Sequence, residues 1–261
     1  IGLVSDARIV GGFEPRTQQI ADPWVIYQQV EQLFELRNLG TDFVDIPDDV
    51  RVLWIVQPKN TGAATLYAID QFVMRGGTAL IFVDPIAESD PLPPEMVPTQ
   101  YPAMGQYSDL PFLFKAWGIE FSSNDVVADA QLALQAYSDA DQRPVRHFGY
   151  LGITSNELNG EDVLTANLDT INVATAGYFE VAEGAPVTIE PLITSSTSAA
   201  LLPSTEFIYL PDPSTLHAGF EPTGQKYTLA ARFNGDLPSA FPSGPPERNA
   251  DVQEVESNDE S

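Results

Sequence analysis

The chain has no cysteine. That excludes disulfides, thiolate metal sites and a cysteine nucleophile, and it leaves the compartment open, because oxidising and reducing environments both tolerate a cysteine-free chain. Bases are scarce: 12 Lys and Arg stand against 37 Asp and Glu, a formal charge of −25. Such a surface repels phosphate backbones and anionic lipid, so neither nucleic acid nor an anionic membrane is an expected partner. Its plainest role is to keep chains apart in solution. Apolar runs stop at about five residues, whereas a membrane span needs roughly 20. The chain opens on Ile1 rather than Met, almost inside a strand, and closes on a polar tail. It therefore reads as a fragment from which targeting or membrane segments have been removed.

Catalytic signatures are also missing. There is no G-x-S-x-G elbow and no G-x-x-x-x-G-K-[ST] loop, so neither a serine hydrolase nor P-loop nucleotide binding is supported. The two histidines, His147 and His217, sit among ordinary neighbours with no clustered second ligand. They read as structural or surface residues, and no metal site is expected. Carboxylates are too many and too scattered to single out an acid/base pair, so nothing points to a two-carboxylate sugar hydrolase, and a hydrolase with an unrecognised site stays as an alternative reading. No cofactor is called for.

What is present is a βαβ unit from Val50 to Pro85, VRVLWIVQPKNTGAATLYAIDQFVMRGGTALIFVDP. Two apolar runs, Val52–Val56 and Ala79–Val83, do not alternate, which suits strands covered on both faces. Between them Leu66, Ile69 and Val73 repeat at helical spacing over Gly62–Arg75, and Gly76 suits the left-handed residue that ends a helix. Upstream, Ile1–Val4 reads as a strand, and a loop fills Ser5–Ala21. A helix then starts at Asp22-Pro23, with Asp22 as its cap and Trp24, Tyr27, Val30 and Phe34 on its apolar face. A strand follows over Leu36–Phe43. Right-handed crossovers place these strands in one mostly parallel central sheet of a three-layer α/β domain.

Six prolines from Pro85 to Pro102 predict a long loop. Asp109–Gly118 predicts a helix buried through Leu110, Phe114 and Trp117. Val126–Ala136 fits strand or helix, and Val145–Ile153 fits a strand. Further on, the pattern predicts a short helix over Asp162–Leu168 and strands over Tyr178–Val181, Val187–Thr194, Phe207–Leu210 and Tyr227–Phe233. Residues 1–242 form the expected domain, with a less regular part from about 145. From 243 a Pro/Gly-rich and then acidic segment reads as a disordered tail or linker.

Ligands of open α/β sheets sit at the carboxyl ends of the strands. Here those ends carry Ser5 and Asp6, Gln57 to Asn60 with Lys59 as a cation in an acidic chain, and Asp84. These six residues, Ser5, Asp6, Gln57, Lys59, Asn60 and Asp84, are the candidate ligand-binding set. The alternative role of Asn60 and Asp84 is to cap turns, with Lys59 simply hydrated.

The segment Ile69-Asp70-Gln71-Phe72-Val73-Met74-Arg75-Gly76-Gly77, followed by Phe82-Val83-Asp84-Pro85, resembles the GldG family of auxiliary components of ABC-type transport systems, some of them tied to gliding motility. Further matches keep the family order: Leu113 to Ile119 around Trp117-Gly118, Asn124 to Asp129, Pro191 to Ser196, and Tyr227 to Ala231 with Phe241. The resemblance covers roughly residues 1–242. It departs at Ser5-Asp6-Ala7-Arg8, where many members carry a G-H-G-E-like turn. It implies a class I glutamine amidotransferase-like or flavodoxin-like fold and a non-catalytic role on the periplasmic side of the inner membrane. Permease and ATPase subunits would be the partners, and anchoring would come only through segments absent from this chain. Amidotransferase chemistry is excluded, because its nucleophile is a cysteine. By analogy with a related intraflagellar-transport domain, a glycan or other small-molecule ligand is a further expectation, with Tyr101, Tyr107 and Trp117 as stacking faces.

Overall fold

A computed structural model describes residues 1–14, 18–88, 107–138, 142–208 and 212–246. Most of the proline-rich stretch, with Tyr101, and the acidic end of the chain lie outside the described residues.

The first half is built on four parallel strands. Strands β1 (Gly2–Ser5), β4 (Arg37–Asn38), β5 (Val52–Val56) and β6 (Thr78–Phe82) are ordered β4-β1-β5-β6. Adjacent residues on each strand face opposite layers. Leu3, Trp54 and Val56 pack with Trp24, Tyr27 and Val30 of helix α1 (Val25–Leu33) and the residue before it. Val4, Leu53 and Ile55 face helix α2 (Ala63–Met74) and helix α3 (Pro111–Trp117) through Leu66, Ile69, Phe72, Leu113, Phe114 and Trp117. Burial on both faces explains the non-alternating run of β5, whereas β6, at the sheet edge, keeps Leu80 and Phe82 nearly half exposed on one face. Each fully buried Leu, Ile or Phe contributes about 1.5–3 kcal/mol.

Helix α2 ends as its sequence predicts. The Gly76 N–H donates to Val73 O and the Gly77 N–H to Phe72 O, both at 2.9 Å, with Gly76 at φ +87°. This paired closure satisfies two carbonyls that the helix end would leave bare. A Cβ on Gly77 would lie 2.4–2.6 Å from the Phe72 ring, so glycine is required there for space as well.

The second half is antiparallel throughout, which narrows the mostly parallel expectation to the four strands above. Strand β8 (Asp125–Asp129) pairs with β14 (Ala199–Pro203). Strands β9 (Ala133–Ser138), β10 (Arg143–Thr154) and β11 (Thr170–Ala174) form one sheet, ordered β11-β10-β9. Two further pairs are β7 (Ile119–Phe121) with β12 (Phe179–Val181), and β13 (Val187–Thr194) with β15 (Thr228–Gly235). Burial alternates along β9 and β11, as it does when a sheet has one wet face.

Several local expectations are corrected. The loop over Ser5–Ala21 contains a hairpin, β2 (Gly12–Glu14) with β3 (Gln19–Ala21). The helix after it starts two residues late, with Trp24 rather than Asp22 at its N-cap. Leu36–Phe43 shrinks to the two residues of β4. Asp162–Leu168 forms turns, not a helix. There Asp162 accepts from the Leu164 N–H at 2.8 Å and from Arg232 at 2.7 Å, while Thr165 Oγ1 donates to Asn159 O at 2.6 Å. Side chains that bond the local backbone compete with a helix. Phe207 lies in a single helical turn, α4 (Thr205–Ile208), rather than a strand. Its ring fills the space over Gly149, where a Cβ would sit 2.5 Å from it.

Two buried carboxylates join distant segments. Asp70 in α2 accepts from Trp117 Nε1 (3.1 Å), Ser239 Oγ (2.7 Å), the Ala240 N–H (2.9 Å) and Gln71 Nε2 (3.0 Å). Asp129 at the end of β8 accepts from the N–H groups of Gln131 (2.8 Å), Leu132 (3.0 Å) and Ser196 (2.7 Å), and from Ser196 Oγ (2.9 Å). Ser195 in turn exchanges bonds with Tyr227: Ser195 N–H to Tyr227 O and Tyr227 N–H to Ser195 Oγ, both at 2.8 Å. The motifs singled out in the sequence therefore meet one another in space, as clasps.

Candidate functional site

The carboxyl edge of the parallel sheet gathers the turns after β1, β5 and β6. Each of the six sequence candidates lies in or beside them. Ser5 closes its own turn, its Oγ donating to Ala7 O (3.0 Å) and accepting the Ala7 N–H (3.1 Å). Asp6 accepts the Lys59 N–H at 2.6 Å, linking the first turn to the second. Gln57 donates through Nε2 to Asp84 Oδ2, linking the second to the third. Segment 107–110 seals this edge. The Ser108 N–H donates to Asp84 O and the Asp84 N–H to Ser108 Oγ, both at 2.9 Å, and the Asp109 N–H reaches Pro58 O at 3.2 Å. Asn60 is exposed at the rim.

The backbone is strained at this edge. Gln57 (φ +53°) and Asn60 (φ +50°) both adopt the left-handed region. So does Thr175 (φ +44°), a β-branched residue for which that region is a true outlier. Thr175 Oγ1 donates to Glu88 Oε1 at 3.0 Å, and Tyr150 Oη donates to Glu88 Oε2 at 2.9 Å. Glu88 thus ties the turn after β6 to the antiparallel half. Of these three left-handed residues, Gln57 bonds Asp84 directly and Thr175 bonds Glu88, four residues further along the same turn. Strain of this kind costs about 1–3 kcal/mol per residue and collects at sites that must hold a fixed shape.

Electrostatically the edge is primed for a proton or a donor. Burial pushes the Asp84 carboxyl up to about 6, the Gln57 amide opposes that, and the Glu88 charge adds to it. Burial likewise raises Asp109 to about 6, against the Leu110 N–H that bonds it. Gln57 is buried, and its Oε1 has no partner among the described residues. An unpaired buried acceptor costs about 1–3 kcal/mol, and here it stands beside a carboxyl whose pKa burial raises. Thermodynamic linkage gives a test. Asp84 in the folded chain holds a proton up to about pH 6, against an ordinary value of 3.8. Its contribution is therefore full below about pH 4 and is lost as pH rises through 6, the reverse of a paired carboxylate. Asp84→Asn is expected to gain about 1–2 kcal/mol over the parent at pH 8 and nothing at pH 4. Urea unfolding across pH reads the difference, and a loss of stability at pH 8 would show that the carboxylate is structural.

A groove of about 410 Å³ starts at Asp109 and runs along α3 to β7 and β12. Phe114, Ile119 and Phe121 supply its apolar lining, and Asp109, Glu120, Glu180 and Tyr178 its polar groups. Trp117 is not a stacking face: it is 2% exposed and its indole N–H is held by Asp70. Tyr107 is exposed. His147 is buried and stacks on Tyr150 with ring centres 3.8 Å apart, and burial lowers it to about 4. His217 stacks on Phe148 at 4.3 Å. Both therefore act as aromatic packing. Among the described residues no group of three or more His, Cys, Asp or Glu is placed to hold a metal, and no helix is long and apolar enough to cross a membrane.

The site thus combines a short parallel sheet with a strained, acceptor-rich edge, beside antiparallel sheets. The chain belongs to the family described as ABC-type uncharacterized transport system, auxiliary component, whose model matches residues 1–261. No curated protein matches it.

Proposed function

We propose that this chain is the non-catalytic, extracytoplasmic module of a GldG-like auxiliary subunit, held on the periplasmic side of the inner membrane. It receives a small ligand or a neighbouring subunit at the carboxyl edge of its parallel sheet, while separate permease and ATPase chains carry out transport. Residues 1–242 act as the recognition domain, related in shape to class I glutamine amidotransferases and flavodoxins, and the acidic end serves as a linker. The observation that carries this reading is Gln57: a buried side chain in a strained backbone, bridging two strand-end turns with one acceptor unused. Family membership supplies the transport context. Ligands in open α/β sheets occupy this edge, and an acceptor-rich pocket selects hydrogen-bond donors.

Purifying the full-length subunit from its own membranes tests the role. The expected outcome is co-purification of one permease and one ATPase in fixed ratio, and recovery of neither would overturn the reading. A carbohydrate ligand has one observation in its favour, the groove with Tyr178 among three carboxylates. A glycan array with no hits would remove it.

A further inference from the structure

The hairpin β2–β3 and helix α1 expose large apolar side chains in a chain that is otherwise strongly acidic. Phe13 and Ile20 are cross-strand partners, so they project from the same face of the hairpin. They are 64% and 82% exposed. A two-stranded hairpin alone is marginal in water, and here its apolar pair points outward. Gly11 allows the hairpin to fold tightly onto the chain leading into α1: a Cβ there would meet Ala21 O at 2.5 Å and Pro23 N at 2.7 Å. Hairpin and helix are therefore held close together along the chain, and both carry exposed apolar side chains.

Helix α1 is apolar well beyond its inward face. Tyr27 and Val30 turn toward the sheet, while Val25, Ile26 and Leu33 do not, and Leu33 is 77% exposed. Phe34, which ends the helix, is 55% exposed. Ile26 and Leu33 stand seven residues apart, two turns along one face, which is the anchor spacing of a helix that meets a partner's groove. The sheet layer beneath is also incompletely covered. Leu80 and Phe82 of the edge strand β6 pair with Trp54 and Val56, so they lie on the α1 side, and both are nearly half exposed. Large exposed apolar side chains gathered in one part of a soluble protein mark interaction sites.

Charge decides among the occupants. The exposed acids beside this surface are Asp22, Glu31 and Glu35, and Arg37 is tied to Asp49 at 2.7 Å. A second copy would bring the same acids and another formal −25, and like-charge contact costs several kcal/mol. We infer that the α1–hairpin surface docks a different protein subunit of the transport system, one that offers an apolar face bordered by Lys and Arg. This rests on the functional reading above and adds to it the surface and the partner's chemistry. The strand-end edge is then left clear for its ligand.

The cysteine-free chain makes the test clean. In the full-length subunit, Ile26→Cys and Phe13→Cys are labelled with a benzophenone maleimide and irradiated in native membranes. Tyr137→Cys on β9, an exposed site in the antiparallel half, is the control. Adducts with the permease are expected from the first two and not from the third. In parallel, Ile26→Glu/Leu33→Glu should lower permease co-purification at least tenfold, as loss of central apolar anchors does, while Tm stays within about 2 °C because both side chains are exposed. Undiminished co-purification, equal labelling from Tyr137→Cys, adducts only with lipid, or adducts only with a second copy would each overturn this surface while leaving the functional reading standing. If the unmodified subunit recovers no transporter chain, both fall.

Discussion

Replacing Asp70 by alanine should destabilise the chain by about 4 kcal/mol, because four buried or half-buried donors lose their shared acceptor at once. For a domain of this size that is a fall in Tm of roughly 8–16 °C. The carboxylate links α2 to the Trp117 indole and to both Ser239 and Ala240, so the end of the described chain should loosen with it. Indole fluorescence of Trp117 and proteolysis near residue 240 would report that loosening before global unfolding. Asp70→Asn is the informative companion. Its Oδ1 can keep the Trp117 and Ala240 bonds, and its new amide would face Ser239 Oγ, a hydroxyl that can accept as well as donate. The expected cost is therefore only about 1–2 kcal/mol. A near-neutral Asp70→Ala, measured by thermal and urea unfolding, would show that these bonds are replaced by water.

Asp129 should behave differently, and the contrast is diagnostic. Asp129→Ala strips the acceptor from three backbone N–H groups and one hydroxyl, with an expected loss of about 3–4 kcal/mol. Asp129→Asn should cost nearly as much. Either orientation of the amide points an N–H₂ at backbone N–H donors, of Ser196 or of Gln131 and Leu132, and a backbone N–H cannot accept. Ser196→Ala removes one of the four bonds to Asp129 and the bond that the Ser198 N–H makes to its Oγ, and should cost about 1–2 kcal/mol. Urea midpoints for the three variants check the order. If Asp129→Asn proves as mild as Asp70→Asn, the backbone contacts are not the source of the stability.

These two residues show where sequence reading reached its limit. Asp70 carries a local signal: it falls four residues after Leu66 and next to Ile69, inside the stripe that helical spacing turns inward. A carboxylate there requires partners, and the pattern announces the need without naming them. Asp129 carries less, since a polar residue at a strand end is ordinary. The hairpin over 12–21 was hidden because its apolar pair faces outward, so Gly11, Gly12 and Pro15 read as plain loop. Phe207 looked like a strand residue because an isolated apolar run has no period to separate strand from helix.

The candidate site was legible for one reason only. Strands Gly2–Ser5, Val52–Val56 and Thr78–Phe82 announce themselves by composition, and a parallel arrangement fixes which of their ends lie together. Hence Asp6, Gln57, Lys59 and Asp84 could be grouped in advance, while the unused Gln57 oxygen, the left-handed Thr175 and the brace at Glu88 could not.

The amino-acid order by itself determined the βαβ unit, the glycine-closed helix, the absence of thiol and P-loop chemistry, and an acidic surface that shuns anionic partners. Each depends on residues within a turn or two of one another, or on composition. Only the folded chain decided that Asp70 and Asp129 are clasps, that Trp117 is buried, that the second half is antiparallel, and that α1 carries a bare apolar face. Those outcomes depend on segments up to 170 residues apart meeting in space, and such meetings are chosen by the fit of whole surfaces, which no local period records.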